Sequence, residues 1–207
     1  MALTTLERII AAAESLISKN GVSRTSLRGI IREAGINLAS VHYHFGSKDA
    51  LLLAVSSKRF EELNQYRTAT LNDLEEEYLG KEIPAKKIIA TYFGAVFHLS
   101  EKFGREYLAL IAELHLEFAR GSQKEVQAHW ESLTRRFAVA YGEASCGISV
   151  EEVLWRWAML SHAFYATLLD RRLMHQFHHG RSEQAAHANL LNRFVEYAHS
   201  ALNPVNP

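Results

Sequence analysis

The stretch Gly35 to Asp49, GINLASVHYHFGSKD, places two histidines, a tyrosine and a lysine around a glycine-initiated turn. It contains no activated nucleophile and no metal-ligand spacing, so hydrolytic and metal chemistry are poor fits. Its side chains suit the recognition of a DNA duplex. Ser40 and His42 can donate or accept at base edges, and Ala39 is small enough for close approach to a thymine methyl. Tyr43, His44 and Lys48 can reach phosphate oxygens. Lys48 also falls at a predicted helix start, where the dipole and free amides favour an anion.

Such a segment works only if rigid elements present it. Leu6, Ile9, Ile10, Ala13, Leu16 and Ile17 recur at helical spacing behind a Thr4–Glu7 capping box, and Asn20 and Gly21 end that helix. A second, shorter helix follows, capped by Thr25 or Ser26. Leu27, Ile30, Ile31 and Ala34 form its apolar face, and Gly35 takes the left-handed position at its end. Asn37 caps a third helix over 38–44 that turns Val41 and Phe45 inward and Ala39 and Tyr43 outward. After Gly46, Ser47 caps a fourth helix, which carries Leu51, Leu52 and Val55 back to the core. Two short helices joined by a glycine turn and braced on both sides form a helix-turn-helix, whose second helix fits the major groove.

The rest of the chain is also helical by pattern. Pro84 opens a run through Ile88, Ile89, Tyr92, Phe93, Val96 and Phe97, and another spans Phe103 to Phe118. Ser122 with Glu125 and Ser149 with Glu152 are capping boxes for two long helices. Gly180 and Ser182 separate the helix around Trp157 from a last one carrying Leu190, Leu191, Phe194, Ala198 and Leu202. No segment sustains period-two alternation, so the predicted fold is all-α with about nine helices and no sheet. Val153, Trp157, Leu160, Phe164 and Leu168 follow one side of a helix that is apolar most of the way round, as expected of a helix buried on several sides. A pocket lining that mixes aromatics with a few polar groups is predicted at Tyr92, Phe93, Phe97, His115, Phe118, Trp130 and Tyr165. Ala185, Ala188, Leu191, Ala198 and Leu202 suggest close packing at a two-fold interface.

Composition limits the alternatives. The 207 residues include 48% hydrophobic and 22% charged side chains, an ordinary globular balance with enough length for a core. A single cysteine, Cys146, rules out an intramolecular disulfide framework and a Cys-based zinc site and fits a reducing cytoplasm. No run of eighteen apolar residues and no signal segment is present, so a membrane partner is not expected. Formal charge is zero, yet residues 1–50 carry six cations against four anions and residues 51–82 four against seven. The basic excess lies at the end that holds the opening stretch. His175 and His179 are one helical turn apart, but no carboxylate or cysteine completes a set, so neither a metal nor a cofactor is expected. Eleven histidines and many carboxylates could supply an acid and a base, but no G-x-S-x-G, phosphate loop or paired metal motif accompanies them.

From about Ile9 to Val55 the chain resembles the tetracycline-repressor (TetR) family of bacterial transcriptional regulators. The shared features are the alanine pair, Gly21, TSLRGI at 25–30, Ala34–Gly35 and VHYHFGSKDALL at 41–52. The resemblance implies an N-terminal DNA-binding domain (1–50), a domain that binds a small hydrophobic effector and dimerises through its last two helices (51–203), and a tail (204–207). Its recognition-helix positions correspond to Leu38, Ala39, Ser40, His42 and Tyr43, and its phosphate contacts to Thr25, Ser26, Arg28, Tyr43, His44 and Lys48. His42 departs from the tyrosine most common there. The implied function is a non-enzymatic repressor, released from a palindromic operator in double-stranded DNA by its effector. A constitutive DNA-binding protein without a ligand, or an enzyme, is the alternative.

Overall fold

The computed structural model describes residues 3–118, 124–144 and 148–203, apart from the side chains of 118 and 124–130. The described residues form ten helices and no strand: α1 (Thr5–Asn20), α2 (Leu27–Ala34), α3 (Leu38–His44), α4 (Lys48–Glu77), α5 (Ala85–Phe103), α6 (Glu106–Phe118), α7 (Lys124–Glu143), α8 (Val150–Leu169), α9 (Arg171–His178) and α10 (Glu183–Leu202). The Ser122–Glu125 box and Cys146 lie outside the described residues.

The first four helices begin where side chains satisfy orphan backbone amides. Thr4 and Glu7 form the reciprocal capping box of α1. Ser26, Asn37 and Ser47 cap α2, α3 and α4 by accepting from Gly29, Ser40 and Ala50 amides. Gly35 closes α2 at φ +62°, a region where other residues are strained. Arg8 of α1 donates to the carbonyls of Ala34 and Gly35, tying the end of α2 to the first helix. Ile9, Ala13, Ile17, Ile30, Val41, Leu51 and Val55, all 0% exposed, form the core of this unit. Leu6, from the predicted apolar face of α1, instead reaches the surface.

Helix α4 runs unbroken for 30 residues, about 45 Å at 1.5 Å per residue, so it leaves the helix-turn-helix unit and enters the C-terminal bundle. Arg59 fixes it to α1: its Nε and Nη2 donate to both oxygens of Glu14 at 2.8 and 2.7 Å. Its guanidinium also lies 4.6 Å from the Phe103 ring centre, adding α5 to the junction.

In the bundle, α4, α5, α7, α8 and α10 surround an aromatic core. The Phe93 ring lies 4.7 Å from Phe194, 4.9 Å from Phe164 and 5.8 Å from Trp157, at the separations of packed aromatic pairs. The tenth helix arises at Asp170, where the chain turns and the carboxylate accepts from the amides of Arg172 and Leu173. The continuous helix expected across this point is therefore two, α8 and α9. Ala198 and Leu202, placed by sequence on a two-fold interface, are fully buried in the chain's own core, and Leu191 packs over Gly94. Ala185 and Ala188 are exposed.

Candidate nucleic-acid interface and effector region

Helix α3 separates its two sides sharply. Val41 is 0% exposed, whereas Tyr43 is 86% and Leu38 53% exposed. Leu38, Ala39, His42 and Tyr43 are exposed together and form one strip, since residues four apart on a helix are neighbours. Ser40 is half-buried at the edge of that strip, and its hydroxyl donates to the Asn37 side chain at 2.9 Å. The His42 ring donates through Nδ1 to the Gly46 carbonyl at 3.0 Å, because a carbonyl can only accept. In the neutral ring this leaves Nε2 as an acceptor for a partner. His44 is exposed with its ring edge-on to Tyr43, 5.1 Å away.

The residues matched to phosphate contacts divide by environment. Ser26 and Arg28 are exposed around the start of α2, and Arg28 makes no ion pair among the described residues. Lys48 is half-buried and donates to the Val22 carbonyl at 3.2 Å, which leaves two of its three N–H groups for an anion. Thr25 is 3% exposed and its hydroxyl donates to the Gly21 carbonyl at 2.8 Å. That bond makes Thr25 a brace for the turn between α1 and α2.

Of the aromatic set in the C-terminal region, Tyr92, Phe93 and Tyr165 are 0% exposed and Phe97 and His115 6%. The side chains of Phe118 and Trp130 lie outside the described residues. A residue that periodicity did not single out organises this group. Arg67 of α4 is fully buried, donates to the Tyr92 carbonyl at 2.9 Å and the Tyr165 hydroxyl at 3.1 Å, and stacks 3.7 Å from the Tyr92 ring centre. The His115 ring stacks on Tyr165 at 4.0 Å, and burial drives its pKa down to about 3, so it is neutral near neutral pH. Burial also pushes the Tyr165 hydroxyl up to about 12, against the pull of Arg67. In this conformation the rings pack on one another. The His175 and His179 rings lie 6.3 Å apart, and no group of three or more metal-ligating side chains occurs among the described residues.

With the exposed strip and the helical bundle in place, comparison with known proteins becomes decisive. The family model of bacterial regulatory proteins, tetR family, matches residues 9–55, and that of the tetracyclin repressor-like C-terminal domain matches residues 90–201, more than half the chain. The chain belongs to the TetR family. As a TetR-family protein it is a DNA-binding transcriptional regulator and not an enzyme. The biofilm operon icaADBC negative transcriptional regulator IcaR of Staphylococcus aureus is 27% identical over 149 residues, covering 70% of this chain and 74% of that protein. The HTH-type transcriptional regulator YerO of Bacillus subtilis is 29% identical over 148 residues; the match takes in 66% of this chain but only 47% of that protein, so the chain spans about half of YerO's length. Among solved structures, a TetR transcriptional regulator from Legionella pneumophila superposes with a TM-score of 0.64 at 23% identity, covering 96% of this chain and 97% of that one. A tetR-family regulatory protein from Rhodococcus RHA1 does so with 0.61 at 16% identity, covering 99% and 100%. At these identities the likeness is one of fold. No helix among the described residues is long and apolar enough to cross a membrane.

Proposed function

We propose that this TetR-family regulator is a cytoplasmic repressor that binds a palindromic operator in double-stranded DNA as a homodimer and is released by a small hydrophobic effector. The observation that carries the DNA-binding surface is the strip of Leu38, Ala39, His42 and Tyr43, exposed on a helix whose inward residue, Val41, is fully buried. Leu38, Ala39 and His42 meet base edges, with Ser40 beside them. Tyr43, His44, Lys48, Ser26 and Arg28 hold phosphates. IcaR's designation as a negative regulator supports the repressing sign.

The dimer reading rests on α8 and α10. Trp155 and Met159, 61% and 57% exposed, lie one turn apart on the outer side of α8, and Tyr197 on α10 is 62% exposed. Large apolar side chains left in water on these two helices are covered most simply by the same face of a second copy, and the two-fold relation then presents two α3 helices to successive major grooves. Units 1–50 and 51–203 divide the work, and α4 is the hinge between them. Effector entry among Tyr92, Phe93, Phe97, His115 and Tyr165 parts their packed rings and moves α4 through Arg67. A coupling free energy of about 1–3 kcal/mol between the sites is enough to release DNA.

The test is selection of bound sequences from a random duplex pool by the full chain. Enrichment of an inverted repeat with half-sites about one helical turn or more apart supports the reading; recovery of no enriched sequence contradicts it.

A further inference from the structure

A cleft of about 1120 Å³ opens where the end of α1 and its turn to α2 meet the starts of α6, α9 and α10. Three arginines line it: Arg24, before the cap of α2; Arg105, immediately before α6; and Arg171, the first residue of α9. The amino end of a helix is its positive end, so each guanidinium sits where the dipole opposes it. None of the three forms an ion pair among the described residues. The carboxylates in the cleft are better provided for. Glu106 and Glu183 occupy the first turns of α6 and α10, where negative charge complements the dipole, and Glu113 accepts from the Val22 amide.

A second observation comes from α10. His187 lines the same cleft, is only 6% exposed, and has no hydrogen-bond partner at Nε2. Its ring is held against Phe97 at 4.8 Å and edge-on to His178 at 5.6 Å, so this polar atom is fixed in place. A buried polar nitrogen without a partner is costly unless something occupies the site. The wall beside it is apolar, formed by Leu108, Leu168 and Met174. The volume suits a drug-sized molecule.

We propose that this cleft binds a small amphipathic organic anion, its acidic group held by Arg105, Arg171 and His187 and its apolar body lying on Leu108, Leu168 and Met174. Such a ligand supplies a counter-charge for guanidinium groups that form no ion pair among the described residues, and an oxygen acceptor for His187 Nε2–H. Because the cleft includes residues of both the α1–α2 turn and the C-terminal bundle, its occupant bridges the two units. The cleft adjoins the aromatic group where His187 packs on Phe97, while Arg105, Arg171 and Met174 lie outside that group.

The experiment uses two probes with the same ring system: 8-anilinonaphthalene-1-sulfonate and its neutral counterpart N-phenyl-1-naphthylamine. Each is titrated by fluorescence into the full chain, its Arg105→Ala/Arg171→Ala variant and its Met174→Glu variant, with circular dichroism confirming the fold of each. The wild type is expected to bind one sulfonate probe per chain. Removing the two arginines raises its Kd about tenfold or more while changing that of the neutral probe less than about twofold. Met174→Glu weakens both. Absence of saturable sulfonate binding to the wild type, equal effects of the arginine substitutions on the two probes, or indifference of both probes to Met174→Glu overturns the proposal.

Discussion

The carboxylate of Glu113 on α6 accepts a hydrogen bond from the Val22 amide at 3.2 Å, joining positions 91 residues apart in the chain. The carbonyl of the same Val22 accepts from Lys48 Nζ, also at 3.2 Å. One residue in the turn before α2 therefore links the C-terminal bundle to the start of α4, beside the DNA-facing strip. Glu113→Ala is expected to lower stability by about 1–3 kcal/mol, the usual cost of losing a hydrogen bond to a charged group. Urea unfolding measures the loss, and hydrogen exchange at the Val22 amide locates it. An unchanged exchange rate at Val22 would show that the bond does not form in solution.

Arg67 is the centre of the bundle's polar network. Arg67→Ala removes its bonds to the Tyr92 carbonyl and Tyr165 hydroxyl, its stacking on Tyr92, and the volume between them. A loss of about 3 kcal/mol or more is expected from cavity and hydrogen-bond terms together. Equilibrium denaturation checks it; a change within about 0.5 kcal/mol, as at an ordinary surface site, would contradict the placement.

His115 imposes a pH dependence of defined sign. Its folded pKa of about 3 lies below the usual 6.5, so unfolding takes up a proton wherever the pH lies between the two values. Stability from this group is fully present above about pH 6.5 and falls as the pH drops towards 3, by about 2 kcal/mol between pH 7 and pH 5. His115→Phe, which keeps a ring against Tyr165, is expected to flatten the curve by that amount. Parallel stability curves for the two proteins would show that His115 is accessible to protons in the folded state.

Much of the DNA-binding half was legible because its signals are local. A cap at Thr4, Ser26, Asn37 or Ser47 and a left-handed glycine at 35 are set by residues within one turn of each other. The break at Asp170 was missed because its flanks, TLLDRRLMHQF, keep a helical pattern through a carboxylate that caps the second helix. Arg67 was missed for a related reason: a cation in a long helix looks like solvated surface until Tyr92 and Tyr165, far away in sequence, are seen to enclose it. Ala198 and Leu202 show the converse limit, since apolar spacing marks a packed face without telling whether the partner is the same chain or another.

The outer face of α8 carries the dimer reading. Trp155→Glu places a charge on an exposed apolar face, so it should leave the monomer fold intact while converting the dimer to monomer in sedimentation velocity and weakening operator binding. A variant that sediments as the wild type does would move the interface elsewhere.

The most direct measurement is fluorescence anisotropy of the full chain on its selected operator, with Tyr43→Ala beside the wild type at two salt concentrations and unrelated duplex as control. Tyr43 is 86% exposed, so its truncation should leave the melting temperature unchanged. The expected result is tight, sequence-specific and salt-dependent binding by the wild type, weakened about tenfold or more by Tyr43→Ala. Equal affinity of the two proteins for the operator would contradict the assignment of the α3 strip as the DNA-reading surface.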